Sequence, residues 1–330
     1  METSEVLPWD ESDWLDRAAT WTHAQLARRG LDLRGELTLE RIRPWAAVAR
    51  IETSEGRVWF KEPAPVMAFE AALTAAVSGR NPEVGPEVIA WEGTWLLTRD
   101  GGPQLRSLLE VDAAAPAWED ILRQYAELQL AQIAHVDELL ALGVPDKRPW
   151  TLLADYPRLV EDVRGLEAVP VERARLVALG PALERVVARL ATPVPMTLIH
   201  EEVHEGNVFV AEGHARLLDW GEGAVSHPFA GLTNTLRDIA YRRGLEPDAA
   251  EVLQLRDVYL EPWTQFAPLD ELRTMFADGY LLGMLCRAVT WERFLAKASR
   301  ATRDEYDRNA AVWLDILREG LEDGARLGAS

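Results

Sequence analysis

The sequence predicts an α+β chain of two lobes, a small β-rich lobe followed by a larger, mainly helical one. Two observations point there. Runs with β-type alternation crowd into the first hundred residues, whereas helical periodicity dominates beyond them. Between the two regimes lies Asp100-Gly101-Gly102-Pro103, which can neither extend a strand nor open a helix at once. The boundary is therefore placed there, with residues 1–99 as the N-terminal lobe and 100–330 as the C-terminal lobe.

The elements follow in order. ESDWLDRAATWTHAQLARRG carries apolar residues at helical spacing and stops at Gly30. ELTLERIR (36–43), AVARIET (47–53) and RVWFKE (57–62) read as strands, with residues 54–56 turning the last pair. Pro63 and Pro65 break the third strand, and VMAFEAALTAAV (66–77) reads as a helix. EVIAW and TWLLT form a further hairpin across Glu92-Gly93. Helical periodicity covers 116–141, 173–191, 232–244, 269–298 and 304–326. One β-rich island, 196–219, interrupts the helices, with Glu212-Gly213 as its turn.

Composition narrows the function. A net charge of −19 argues against nucleic acid as a partner, because neutralising phosphates takes lysine and arginine. No apolar run approaches the ~20 residues of a bilayer span. The acidic N-terminus lacks the layout of a signal peptide, and Cys286 is the only cysteine, so a cytoplasmic location is expected.

The stretch HEEVH (200–204) admits two chemistries. As His200-Glu201-x-x-His204 it matches a zinc-hydrolase signature, which needs both imidazoles on one helical face. The β-type residues before it and Gly206-Asn207 after it resist that helix. Read across LIHEEVHEGNVFV, an acid at His+2 precedes Asn207 by five residues, the spacing of a phosphoryl-transfer loop. Asn207 then offers an amide oxygen and Asp219, in LLDWGE, a carboxylate. A hairpin between them brings both to one Mg²⁺, with Glu202 near an acceptor hydroxyl. Upstream, Lys61 ends a strand and Glu70 sits in the next helix, an order suited to an ion pair that holds phosphates.

With these residues in hand, the chain resembles the aminoglycoside phosphotransferase and choline kinase-like family, small-molecule relatives of protein kinases. The likeness runs from about residue 36 to about residue 240 and is strongest in HEEVHEGNVFV, LLDWGE and SHPFAGL. It implies a protein-kinase-like bilobal fold and an ATP- or GTP-dependent, Mg²⁺-assisted transfer to a hydroxyl of a small molecule. That acceptor is an aminoglycoside-like antibiotic, a sugar or an amino alcohol. By position, Lys61 is the phosphate-binding lysine and Glu70 its partner, Asn207 and Asp219 are the metal ligands, and Glu202 takes the catalytic aspartate's place. The backbone around Leu97 and Arg99 is the adenine-reading hinge. His200 braces the loop, and His204 is either a support or a substrate contact. Three departures stand out. Glutamate replaces aspartate at 202, no glycine occurs in RIRPWAAVARI (41–51), and Gly231 stands where the family has a supporting aspartate. They leave a catalytically impaired nucleotide-binding protein as the alternative.

Overall fold

The computed structural model describes residues 6–110, 117–191, 193–211 and 214–323. Helix α1 (Trp14–Arg28) precedes strands β1 (Thr38–Arg43), β2 (Ala46–Thr53) and β3 (Gly56–Pro63). Helix α2 (Glu70–Arg80), β4 (Val88–Glu92) and β5 (Trp95–Arg99) follow. These strands form one antiparallel sheet in the order β1-β2-β3-β5-β4. The alternation of β2 and β3 explains its two faces: Ala47, Ala49, Ile51, Val58 and Phe60 are buried on one side against α1. Trp14 and Trp21 of α1 meet Phe60 edge-on, and Trp14 Nε1 donates to the buried carboxylate of Glu62 at 2.6 Å. The other face is open to a cleft.

Beyond β5 the chain is helical, with α3 (Leu105–Leu109), α4 (Trp118–Gln132), α5 (Val136–Ala141), α6 (Pro149–Asp162), α7 (Arg173–Ala178) and α8 (Gly180–Arg189). The β-rich island then supplies β6 (Thr197–Ile199), β7 (Val208–Ala211), β8 (His214–Leu217) and β9 (Ala224–Ser226). Helices α9 (Thr233–Arg243), α10 (Ala250–Leu260), α11 (Leu269–Lys297), α12 (Arg300–Tyr306) and α13 (Asn309–Asp323) complete the chain. The fold is thus the expected small antiparallel sheet lobe with a larger helical part. Strand β6 pairs with β9, and β7 pairs with β8, all antiparallel. The anticipated turn at Glu212-Gly213 lies outside the described residues.

Some expected helices are divided. The segment 116–141 breaks at a 3-10 turn over Ile133–His135, and 173–191 breaks between α7 and α8. The segment 304–326 corresponds to α12 and α13, whose described part ends at Asp323. Helices α3, α6 and α10 lie outside the segments given helical periodicity.

The larger core is not confined to the residues after 100. Phe69, Leu73, Val77 and Val84 around α2 bury into it, together with Tyr125, Trp220 and Phe229. Helix α2 thus ties the sheet to the helical body. The connecting stretch is closely fitted as well. Gly102 has φ +85, its N–H donates to Asp100 Oδ1 at 2.8 Å, and a Cβ there would lie 2.2 Å from the Val210 carbonyl oxygen. Only glycine fits that passage. Long, buried α11 forms the back of the helical body, and a Cβ at its Gly279 or Gly283 would strike Phe229 or Thr233.

Candidate active site

The open face of the sheet and the β6–β9 island enclose a cleft of about 770 Å³. Strand alternation decides which side chains enter it. Lys61 lies opposite Val48 on β2 and Leu96 on β5, and all three line the cleft. Two residues back on β3, Trp59 faces the same way, opposite Thr98, and its Nε1 donates to Asp100 Oδ2 at 2.9 Å.

Lys61 is held from both sides. Its Nζ lies 2.5 Å from Glu70 Oε1 and 2.6 Å from Asp219 Oδ1. Burial alone would lower the ammonium's pKa, but the charges of Asp219 and Glu70 outweigh it and raise it. Burial likewise pushes Asp219 up, and Lys61 more than reverses that, holding its carboxyl below the usual range. Glu70, enclosed at 2 % exposure, is raised by burial despite Lys61. Gly221 allows Glu70 this position, since a Cβ there would come within 3.0 Å of Glu70 Oε2.

The hairpin β7–β8 places Asn207 and Asp219 as its spacing suggests. Val208 pairs with Leu217, and the Leu218 N–H donates to the Asn207 carbonyl at 3.0 Å. Asn207 Nδ2 donates to the Glu202 carbonyl at 3.2 Å, leaving the amide Oδ1 as its acceptor toward the cleft. Asp219 takes up the left-handed region at φ 71, a conformation that few non-glycine residues adopt and that aspartate tolerates better than most.

Residues 200–204 form a loop rather than a helix, with Glu201 at φ 64. The zinc geometry is therefore absent. His200 is buried and neutral: Nε2 donates to the Leu218 carbonyl at 2.9 Å, Nδ1 accepts from the Glu202 N–H at 3.3 Å, and burial pushes its pKa down to about 4. It locks the two halves of the loop together. His204 Nε2 lies 3.6 Å from Glu202 Oε2 while its Nδ1 accepts from the Gly206 N–H. Burial lowers its pKa, but the Glu202 carboxylate raises it more. Among the described residues no group of three or more His, Cys, Asp and Glu is arranged to hold a metal by itself.

Glu202 reaches the cleft and is gripped from behind. Arg287 of α11, at 4 % exposure, places Nη2 2.8 Å from Glu202 Oε1 and contacts Glu222 through Nη1. Burial pushes the Glu202 carboxyl up, and Arg287 overrides it, keeping the group ionised. Glu222 goes the other way: burial lifts it to about 7, against the pull of Arg287. Beside this cluster, Lys147 and Glu201 form a fully buried pair that also binds Thr290. Glu201 is thereby turned away from the cleft.

With glycine at 231, a tyrosine hydroxyl reaches the loop. Tyr125 Oη accepts the His200 N–H at 2.9 Å, and a Cβ on Gly231 would lie 2.6 Å from that oxygen. The glycine makes room for the tyrosine that supports the loop.

The side chains of Leu97 and Arg99 do not line the cleft. Leu97 is fully buried in the core behind the sheet, opposite Phe60, because it is one residue out of phase with Lys61 and Leu96. Its backbone is engaged between β3 and β4. Arg99 is absorbed by Glu55 and Glu87, each at 2.7 Å, at the sheet's edge. Leu96, Thr98 and Gly101 line the cleft instead. Residues that sequence spacing did not reveal are Trp59, Phe209, Glu222, Arg287 and Tyr125. Trp59 alone carried a signal, being two positions from Lys61 on one strand face.

The arrangement offers an ammonium, a set of hard oxygen donors and an ionised carboxylate around one cleft, the groups that phosphoryl transfer uses. No family model matches the chain, and no curated protein matches it in sequence. Solved structures do. An ethanolamine kinase from Plasmodium vivax superposes with a TM-score of 0.62 at 11% identity, covering 97% of this chain and 98% of that one. A choline kinase from Cryptosporidium parvum gives 0.58 at 12% identity, over 94% and 98% of the two chains. An aminoglycoside 2'-phosphotransferase-IIIa, solved with GDP, gives 0.57 at 12% identity, over 91% and 97%. The chain has the aminoglycoside phosphotransferase and choline kinase-like fold. Its structural neighbours are small-molecule phosphotransferases.

Proposed function

We propose that this protein transfers the terminal phosphoryl group of ATP, or GTP, to a hydroxyl of a small molecule such as an aminoglycoside-like antibiotic, a sugar or an amino alcohol. The observation that carries the reading is Lys61 bridging Glu70 and Asp219 across the cleft, facing a loop that presents Glu202 and Asn207. In this reading Lys61 holds the nucleotide's phosphates, and Glu70 keeps the ammonium aimed into the cleft. Trp59, Leu96 and Thr98 from the sheet, with Phe209 and Leu218 below, supply an apolar slot for the base.

Magnesium fits the donors present. Asp219 and the Asn207 amide oxygen are hard ligands on adjoining ends of one hairpin, and a part-exposed carboxylate leaves room for retained waters. When bound, the ion would neutralise phosphate charge and help orient the triphosphate. Glu202 accepts the acceptor hydroxyl's proton as the new O–P bond forms, and the bond to the β-phosphate oxygen breaks to release the nucleoside diphosphate. Arg287 fixes the carboxylate's direction and keeps it ionised for that task.

A second reading, a nucleotide-binding protein with impaired transfer, draws on the same contact, since a paired carboxylate is a weaker base. ADP release measured with a panel of aminoglycosides, sugars and amino alcohols separates the two. Stimulation by an acceptor supports transfer. Nucleotide binding with no stimulation by any acceptor favours the second, and absence of nucleotide binding overturns both. No helix among the described residues is long and apolar enough to cross a membrane.

A further inference from the structure

Residues directly opposite one another in an antiparallel sheet project to the same face. Arg41 on β1 lies opposite Val48, Val48 opposite Lys61, and Lys61 opposite Leu96. All four line the cleft. The row sets Arg41 two strand spacings from Lys61, about 10 Å between backbones. An extended arginine reaches from there over a triphosphate held by the lysine. The β1–β2 pairing shifts register between Leu39 and Arg41, just before Arg41 enters the row.

The guanidinium is available. Arg41 is exposed, and among the described residues its side chain makes no hydrogen bond or ion pair. Its neighbour Glu40 is engaged instead by Arg50 at 2.7 Å. Arg41 lines the same cleft as Lys61 and Asp219.

The adjoining turn is poorly made for the task that a glycine-rich loop performs. Pro44 has no N–H, and no glycine occurs between 41 and 51. The Trp45 carbonyl accepts from the Ala64 N–H at 2.8 Å, and its ring packs on Phe294 and Tyr306. A turn tied down in this way does not drape its backbone over phosphates.

We propose that Arg41 is a nucleotide-binding residue that grips the β- and γ-phosphates, supplying through a guanidinium what a glycine-rich turn supplies through backbone N–H groups. The proposal rests on the phosphotransferase reading. A planar, permanently charged fork suits phosphate oxygens and forms charge-assisted hydrogen bonds to them.

The test is isothermal titration of the full chain, at fixed Mg²⁺, with AMP-PNP, ADP and adenosine as probes. Arg41→Met is expected to weaken AMP-PNP about 10- to 100-fold and ADP less, with adenosine unchanged. Arg41→Lys is expected to recover part of the loss. Wild-type affinity for AMP-PNP in Arg41→Met overturns the proposal while leaving the phosphotransferase reading intact. Equal weakening of adenosine overturns it too, since the effect would then not lie at the phosphates. A wild-type chain that binds neither these three probes nor their guanine counterparts, GMP-PNP, GDP and guanosine, overturns the nucleotide site itself. Arg41 is exposed on an edge strand, so circular dichroism of the variant is expected to match the parent.

Discussion

Arg287 meets Glu202 at 2.8 Å from the buried side of the cleft while contacting Glu222 with its other terminal nitrogen. The same guanidinium lies 3.7 Å from Glu201, and removing it strands Glu202 and Glu222. Arg287→Met is expected to destabilise the chain by about 3–5 kcal/mol, as for a buried pair that loses one partner. Denaturant unfolding measures this. In whatever fraction remains folded, the acid limb of the rate profile should move to higher pH, because Glu202 then titrates higher. An unmoved limb would show that Arg287 does not control the carboxylate.

Asp219→Asn should reduce acceptor-dependent ADP release by roughly 10²–10³-fold, the scale of losing one charged transition-state partner. The variant should stay folded with a small loss of stability, since Lys61 keeps Glu70 as its partner. Unchanged turnover would remove Asp219 from the site.

Glu202→Gln keeps the shape and deletes the base. A fall in kcat of about 10²–10⁴-fold with little change in KM is expected from steady-state kinetics. A change confined to KM would make Glu202 a substrate-binding group instead.

Glu222 carries a pH signature. Its folded pKa, about 7, lies above its ordinary value near 4.5, so the folded chain binds the extra proton between those values. Its contribution to stability is whole below about 4.5 and is lost as pH rises through about 7. His200 and His227, pushed by burial to about 4 and about 3, act oppositely, losing stability as pH falls below the ordinary histidine range. The difference between Glu222→Gln and the parent isolates the first effect. Melting temperatures from pH 5 to 8.5 should show the parent losing ground relative to the variant as pH climbs. Parallel curves would contradict the assignment.

The Tyr125–Gly231 pairing predicts a partial rescue. Gly231→Ala puts a methyl 2.6 Å from the tyrosine oxygen and should destabilise. Tyr125→Phe alone leaves the buried His200 N–H without its partner, at a cost of about 1–3 kcal/mol. Since the phenyl ring lacks the clashing atom, the double variant should lie above the sum of the two losses. Strict additivity in unfolding experiments would sink this pairing.

The parts of the site that were legible in the sequence are those set by short spacings. Lys61 and Glu70 are a strand end and the next helix, and Glu202 and Asn207 lie on one loop. Asn207 and Asp219 are the two ends of one hairpin. Local geometry settles each. Arg287 and Tyr125 were not legible, since they arrive from α11 and α4 through tertiary packing that no local pattern encodes. The Leu97 side chain faces the core by strand parity, one residue out of phase with the cleft-lining Leu96 and Thr98. Helix α6 escaped because Pro157 interrupts its pattern, and α10 because Arg256, fully buried, sits where an apolar residue is expected. The two predicted β-hairpins of the sheet were clear, with turns at residues 54–56 and at Glu92-Gly93.

Trp45 fastens the sheet's outermost turn to α11 and α12 through Phe294 and Tyr306. Any rocking of the sheet away from the helices must therefore unstick two edge-on aromatic contacts, each worth about 0.5–1.5 kcal/mol. One tryptophan thereby couples the sheet's outer turn to the helical body.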